Sequence, residues 1–195
     1  MNLEEFKTKP FPIYTTPRLN LVELDVVHEI DVFNIFSNSK VTEYYNINTF
    51  KDLSEASNFI EINYNKFIFN IGICWGITLI DSPKLIGTIE LNIINGDSHN
   101  ANIGFTINHD YWRNGYVTEA IKKALYHAFK VLKLVRVEAY VMPRNYASSC
   151  ALENIGFLKE GILRQWLQFN ECYYDMSLYS ILRQDVYPTH LNEKK

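Results

Sequence analysis

Between residues 101 and 132 the chain runs from a short β pattern, through Trp112-Arg113-Asn114-Gly115, into a long amphipathic helix. Val117–Leu132 sets Ala120, Ile121, Ala124, Leu125, Ala128, Phe129 and Leu132 on one stripe, with Lys122, Lys123 and Lys130 off it. That spacing predicts a helix laid along a sheet. The first N–H groups of such a helix have no internal partners, and the helix dipole adds partial positive charge there. The turn before it can therefore hold a diphosphate through backbone alone, and Gly115 allows close approach. One glycine before a helix is also what an ordinary strand-to-helix loop contains, so spacing alone leaves both readings open.

The flanking segments fill in an α/β (α+β) pattern. Arg18–Leu24 largely alternates and predicts a strand, and Asp25 is a candidate N-cap. Val26, Ile30, Phe33 and Phe36 then recur at helical intervals, as do Ala56, Phe59, Ile60, Tyr64 and Phe67. Ile73–Ile80, Leu85–Ile94 and Ala101–Ile107 form an antiparallel meander, broken at Asp81-Ser82-Pro83-Lys84 and at Asn95-Gly96. After the long helix come a strand at Val135–Met142, a short helix at Ala147–Ile155 ended by Gly156, and strands Phe157–Phe169 and Cys172–Ile181 paired across Asn170-Glu171. A mixed, mostly antiparallel central sheet flanked by helices is the expected architecture. The expected organisation is an arm at 1–17 that Pro10, Pro12 and Pro17 make irregular, a domain at 18–183 and a tail at 184–195.

Composition narrows the partners. At 195 residues, with 47 % hydrophobic and 21 % charged, the chain suits one soluble globular domain. A net charge of −3 provides no basic field for nucleic acid. The apolar runs are too short to span a bilayer. Residues Met1 to Pro12 carry Glu4, Glu5, Lys7 and Lys9 and no signal-peptide core. Cys74, Cys150 and Cys172 fit neither a disulfide framework nor a zinc site. Reduced thiols, no metal and a cytoplasmic location are expected, and a two-fold homodimer is the expected assembly.

Gly115-Tyr116-Val117-Thr118-Glu119-Ala120, the upstream Ile103-Gly104-Phe105, and the downstream Asn145-Tyr146-Ala147-Ser148 with Glu153-Asn154-Ile155-Gly156-Phe157 together resemble the general N-acetyltransferase (GNAT) superfamily. The opening Thr16-Pro17-Arg18-Leu19-Asn20-Leu21 and the ending Tyr174–Leu182 resemble its ribosomal-protein N-terminal acetyltransferase branch, so the likeness covers about residues 15–183. The resemblance implies acetyl-CoA as donor, held between two parallel strands that splay apart. It implies backbone hydrogen bonds to the pantetheine arm from the Gly104–Ile107 strand (Phe105, Thr106, Ile107), a pyrophosphate on Arg113, Asn114, Gly115, Tyr116, Val117 and Thr118, and a further contact to the arm from Asn145. This sequence departs from the pattern at Trp112, where Gln or Arg is usual, and at Val117, where Gly or Ala is usual. The β-branched Val117 is expected to take room beside the phosphate and to weaken CoA binding.

Acetyl transfer to an amine needs a neutral nucleophile, a polarised thioester carbonyl and a proton for the leaving thiolate. Glu90 is the only acid within the strand Leu85–Ile94 and is the candidate base. The alternative places it on the solvent face of a half-exposed strand. Similar enzymes often carry an acid where this sequence has Asn102. Ser148, one helical turn after Asn145, is the candidate acid, or else it only supports the first turn of its helix. Polarisation falls to a backbone N–H of Gly104–Ile107. His109 is read as a loop residue, His127 as a helix-surface residue, and Cys150 as packed. Of Arg113, Lys122, Lys123 and Arg144, only Arg113 stands out as a contact for the CoA 3′-phosphate. Tyr44, Tyr45, Tyr64 and Phe67 line an acceptor cleft or else belong to the core. The expected activity is acetyl transfer to a primary amine, a protein N-terminus or a small amine such as a polyamine, amino sugar or amino-acid derivative. A CoA-binding module with little catalysis is the reading from another class.

Overall fold

Alternation in the β runs and helical spacing between them produce a computed structural model that describes residues 10–95 and 98–188. Gly96 of the expected turn, residues 1–9 of the arm and 189–195 of the tail lie outside the described residues. The elements are β1 (Tyr14–Thr15), β2 (Leu19–Glu23), α1 (Glu29–Phe36), α2 (Ser39–Thr42), α3 (Leu53–Ile68), β3 (Gly72–Leu79), β4 (Leu85–Asn95), β5 (Asn100–Ile107), α4 (Tyr116–Tyr126), β6 (Arg136–Val141), α5 (Tyr146–Glu153), β7 (Leu158–Phe169), β8 (Cys172–Leu182) and α6 (Arg183–Val186). They build one mixed eight-stranded sheet in the order β1-β2-β3-β4-β5-β6-β8-β7. Every neighbouring pair is antiparallel except β5 and β6.

Apolar side chains cover both faces of the central strands. On one face Ile73, Trp75, Ile77, Ile89, Leu91, Ala101 and Ile103 meet Ala120, Ile121, Ala124, Leu125 and Ala128 of the α4 stripe. Three alanines in that stripe let the helix axis approach the strands closely. On the other face Val32, Ile35, Phe36, Ala56 and Ile60 of α1 and α3 pack with Cys74 and Leu85. Strand β3 lies between both cores and is buried almost throughout, which is why it reads as a continuous apolar run instead of an alternating one.

Four expectations are corrected. The first helix begins as a 3₁₀ turn, Val26–His28, capped by Asp25. Three residues per turn shifts the phase of the helix beyond it, so Val26 and Ile30 are exposed while Val32, Ile35 and Phe36 are buried. His127 is buried instead of lying on a helix surface. After Tyr126 the helix widens into a π-helical stretch, His127–Val131, and the Tyr14 hydroxyl lies 2.7 Å from His127 Nδ1. Cys150 is exposed, not packed. The arm is not wholly irregular: Tyr14 and Thr15 pair with Leu21 and Asn20, and the Trp75 indole N–H donates to the Pro12 carbonyl at 2.7 Å. Contacts with residues distant in sequence, Tyr14 with His127 and Pro12 with Trp75, determine these positions, and no local pattern encodes them. The Asn170-Glu171 turn is as expected, both residues having positive φ (46° and 62°), the two-residue turn that matches strand twist.

At the far end of the sheet Arg136 forks onto Glu160 with hydrogen bonds of 2.8 and 2.6 Å. Those bonds, with one from Ser180, hold the Glu160 carboxyl down at about 2 against an ordinary 4.5. A folded-state value below the unfolded one stabilises the protein above about pH 4.5 and loses that contribution as pH falls through 2. The difference in melting temperature between the wild type and Glu160→Gln is therefore expected to be present at neutral pH and to shrink steadily below pH 4.5. A calorimetric series that shows a constant difference across that range would contradict the assignment.

Candidate active site

The site begins where β5 and β6 part. Their parallel pairing covers only Asn100–Asn102 against Arg136–Glu138, although β5 runs on to Ile107 and β6 to Val141. Beyond Asn102 the two strands keep their outer partners β4 and β8, and the edges that face each other open into a wedge. Asn108 N–H donates to the Ile86 carbonyl at 2.8 Å, and backbone groups in antiparallel pairs alternate between facing the partner and facing away. Counted back from Asn108, Phe105 and Ile107 turn their backbone groups into the wedge. Thr106, expected alongside them, is a correction: the same alternation directs its backbone to β4, and its side chain is buried on the opposite face from α4.

The mouth of the wedge leads to the turn before α4. The Trp112 indole N–H donates to the Ile107 carbonyl at 2.7 Å, tying the turn to the end of β5. The Asn114 side-chain amide reaches back to the carbonyls of Tyr111 and Trp112. Arg113 and Gly115 both have positive φ, 61° and 73°, and Gly115 caps α4 without a side chain over the helix end. Glu119 N–H closes the first turn on the Gly115 carbonyl at 3.2 Å. The N–H groups of Tyr116, Val117 and Thr118 therefore point out of the helix end, as an anion requires. Val117, expected to crowd that space, packs against the main core. These features fit the diphosphate and pantetheine arm of acetyl-CoA: a side-chain-free helix end at one end and turned-out strand backbone along about 13 Å from Ile107 to Ile103, at about 3.3 Å per residue.

Across the wedge, Asn145 caps α5. Its side-chain oxygen accepts from Ser148 N–H at 3.2 Å, which leaves its amide NH₂ to reach an arm in the wedge. Ser148 is half-buried in the first turn of α5.

The face opposite α4 holds Glu90. It stands in register with Gly104 of β5 and Cys74 of β3. A β-carbon on Gly104 would lie 2.7 Å from Glu90 Oε1, so the carboxylate rests directly on β5 beside the start of the wedge. It is not a bare solvent-face acid. The Tyr45 hydroxyl donates to Oε1 at 3.2 Å and Lys66 Nζ donates to Oε2 at 3.0 Å. Burial, then the nearby Glu90 charge, pushes both the Tyr45 hydroxyl and the Cys74 thiol well above their ordinary values, so both stay neutral. On the other side of the wedge the Tyr140 hydroxyl donates to Glu138 at 2.8 Å. Burial first, then that bond, pushes Tyr140 up to about 12. Trp166 stacks on the Tyr140 ring at 5.7 Å from an irregular stretch of β7, where Gln165 has φ 52°. The loop after α2 meets the β7–β8 turn, where Asn170 Nδ2 donates to Asn48 Oδ1 at 2.8 Å.

Of the aromatic set named from sequence, Tyr45 reaches Glu90, Tyr64 is exposed, and Phe67 packs on Phe11. Lys66 and Tyr140 were missed. The alternation Arg136-Val137-Glu138-Ala139-Tyr140 places three polar residues on one face and was readable. Lys66 meets Glu90 only through packing of α3 on the sheet.

A wedge between parallel strands that ends on a helix N-terminus free of any capping side chain, with a carboxylate on the far face, defines an acyltransferase site of the CoA-dependent kind. The acetyltransferase (GNAT) domain model matches residues 18–158, and the chain belongs to that family; it is an acetyltransferase whose donor is acetyl-CoA. It is 36 % identical over 173 residues, 89 % of this chain and 98 % of the relative, to an uncharacterized N-acetyltransferase, YoaA, of Bacillus subtilis. It is 27 % identical over 109 residues, 55 % of this chain and 56 % of the relative, to the ribosomal protein uS5-alanine N-acetyltransferase of Escherichia coli. Among solved structures, a GNAT-family acetyltransferase from Bacillus anthracis superposes with a TM-score of 0.80 at 26 % identity, covering 89 % of this chain and 99 % of that one. The spermidine N-acetyltransferase of Vibrio cholerae, solved with CoA and spermine, superposes with a TM-score of 0.75 at 22 % identity, covering 87 % and 98 %. Among the described residues no helix is long and apolar enough to cross a membrane.

At φ 73° Gly115 occupies a conformation that a β-carbon strains, at a cost of roughly 1 kcal/mol. Gly115→Ala is expected to weaken CoA binding measured by titration calorimetry while the melting temperature falls by only a few degrees. Unchanged affinity would remove the turn from the donor site.

Proposed function

We propose that the protein acetylates a primary amine by direct attack on acetyl-CoA, with Glu90 as general base and Ser148 as general acid. The observation that carries this reading is Glu90 itself, a carboxylate laid on β5 at the start of the wedge on the face away from α4. Acetyl-CoA supplies the acetyl group as an activated thioester. Arg113, Asn114, Gly115, Tyr116, Val117 and Thr118 form the turn that grips its diphosphate, chiefly through backbone N–H groups. Phe105 and Ile107 hold the pantetheine arm from one side of the wedge and Asn145 from the other. Glu90 accepts a proton from the acceptor ammonium, directly or through water, freeing the nitrogen lone pair. The nitrogen then forms its bond to the thioester carbon while the Phe105 N–H stabilises the charge that gathers on the carbonyl oxygen. As the carbon–sulfur bond breaks, Ser148 gives its proton to the departing thiolate and recovers one from the nitrogen, which sheds its second proton as the amide forms. Lys66 pairs Glu90 in the resting enzyme, so the entering ammonium joins a carboxylate already balanced by one cation.

For the acceptor we favour a protein N-terminal amine. The motifs shared with the ribosomal-protein branch support it, as does the similarity to an enzyme named for an alanine of ribosomal protein uS5. A small amine is the second reading. The fold shared with an enzyme solved with spermine favours it. Three free cysteines agree with a reducing, cytoplasmic setting.

Free-thiol release from acetyl-CoA, screened against amines and N-terminal peptides, separates the two acceptors. With the acceptor in hand, Glu90→Gln and Ser148→Ala are each expected to lower kcat/KM by about tenfold or more with CoA affinity unchanged. Full activity in either variant removes that residue from the mechanism.

A further inference from the structure

The turn that receives the diphosphate is held from the opposite end of the sequence. Thr16 Oγ1 donates to Glu119 Oε1 at 2.6 Å, and Arg18 N–H donates to the same oxygen at 3.0 Å. Arg18 Nε donates to Glu119 Oε2 at 2.7 Å, and Nη1 donates to the Asn114 carbonyl at 2.9 Å. The guanidinium lies over the Tyr116 ring, 4.8 Å from its centroid. Its remaining nitrogen, Nη2, lies 3.6 Å from where a β-carbon on Gly115 would be.

Two physical points make this more than a brace. Glu119 sits in the first turn of α4, and an unbalanced carboxylate there would repel an anion at the helix end. Burial pushes its carboxyl up, but hydrogen bonds from Thr16 and Arg18 and the Arg18 charge outweigh burial and hold it below the ordinary range. Glu119 therefore stays charged, and Arg18 is the cation that balances it. Second, a planar fork can bridge Glu119 and the Asn114 carbonyl and still present a nitrogen at Gly115, which a lysine cannot.

We propose that Arg18 is a donor-binding and positioning residue: it neutralises Glu119, fixes the carbonyl between the two positive-φ residues of the turn, and directs Nη2 at the diphosphate. This inference rests on the turn at 113–118 being the diphosphate site. The Thr16-Pro17-Arg18 segment is then part of the donor site as well as the entrance to the fold.

The test compares Arg18→Met with the wild type on two ligands. CoA dissociation constants come from titration calorimetry. KM values are measured for acetyl-CoA and for S-acetylpantetheine, which lacks the diphosphate. Arg18→Met is expected to weaken CoA binding by about tenfold, the loss of one charge-assisted contact, and to raise KM for acetyl-CoA in parallel. KM for S-acetylpantetheine is expected to stay within about twofold, because that donor reaches only the wedge. The salt dependence of CoA affinity should also flatten. Equal losses on both donors would make Arg18 a structural brace only, and no loss on either would also overturn the proposal. No heat from CoA with the wild type would instead overturn the assignment of the turn. Should Arg18→Met fail to fold, Arg18→Lys, which keeps the charge and lacks the fork, gives the same comparison. The expected loss is again confined to acetyl-CoA.

Discussion

Everything at this site depends on two strands that stop hydrogen-bonding to each other. Strands β5 and β6 are paired for three residues and then separate, while β4 and β8 continue to hold their outer edges. Unpaired backbone polar groups inside a protein carry a cost of roughly 1–3 kcal/mol each, so a wedge of this kind persists only if something else satisfies them. The Ile107 carbonyl shows the local solution: the Trp112 indole takes it up. The groups of Phe105 deeper in the wedge are those that an amide-bearing ligand arm can satisfy. The sheet thus presents a strand-shaped opening, and a chain of alternating amides such as pantetheine fits it in the manner of an added strand.

The same opening lies between α4 on one face of the sheet and Glu90 on the other. Side chains alternate along β5: Ala101, Ile103 and Ile107 join the core under α4, while Asn102, Gly104 and Thr106 face the other way, toward Glu90 and Asn92 of β4. The wedge is where the two faces communicate through the sheet. Glycine at position 104 is required by contact, since any larger residue would displace the Glu90 carboxylate. Glu90 is paired with Lys66, whereas the single charge of Arg136 is shared between Glu138 and Glu160.

How much of the fold and site was legible in the sequence depends on the range of the interactions involved. The meander, the α4 stripe, the Asn170-Glu171 turn and the glycine turn at 115 are local patterns, and they appear in the structure where the pattern places them. Asn145 was legible as the start of a helix, and its capping bond to Ser148 is local too. Glu90 was legible as the lone acid of its strand, but its partners Tyr45 and Lys66 come from two other elements. Val26 and Ile30 misled because a 3₁₀ turn changes the repeat without changing composition. Thr106 misled because which edge of a strand a residue serves depends on register, and a one-residue count reverses it. His127 and Arg18 depend on contacts with residues about a hundred positions away, beyond the reach of any window.

Arg113 and Gly115 place two left-handed residues one apart in a turn of the main chain, and for Arg113 that costs of order 1 kcal/mol or more. Strain of this kind survives only where neighbours over-determine it. Here Trp112 is fixed to β5, Asn114 is fixed by its own side chain to the residues before it, and its carbonyl is fixed to Arg18. Three anchors on a four-residue turn exceed what a connecting loop needs, and loops that merely connect are usually the most yielding part of a fold. The rigidity has a use if the helix end must meet a rigid, multiply charged group without rearranging, because an ordered binding surface loses little entropy when its ligand arrives. The anchoring of the turn by residues from separate segments is thus the structural counterpart of the wedge: one leaves backbone groups open, and the other keeps them aimed.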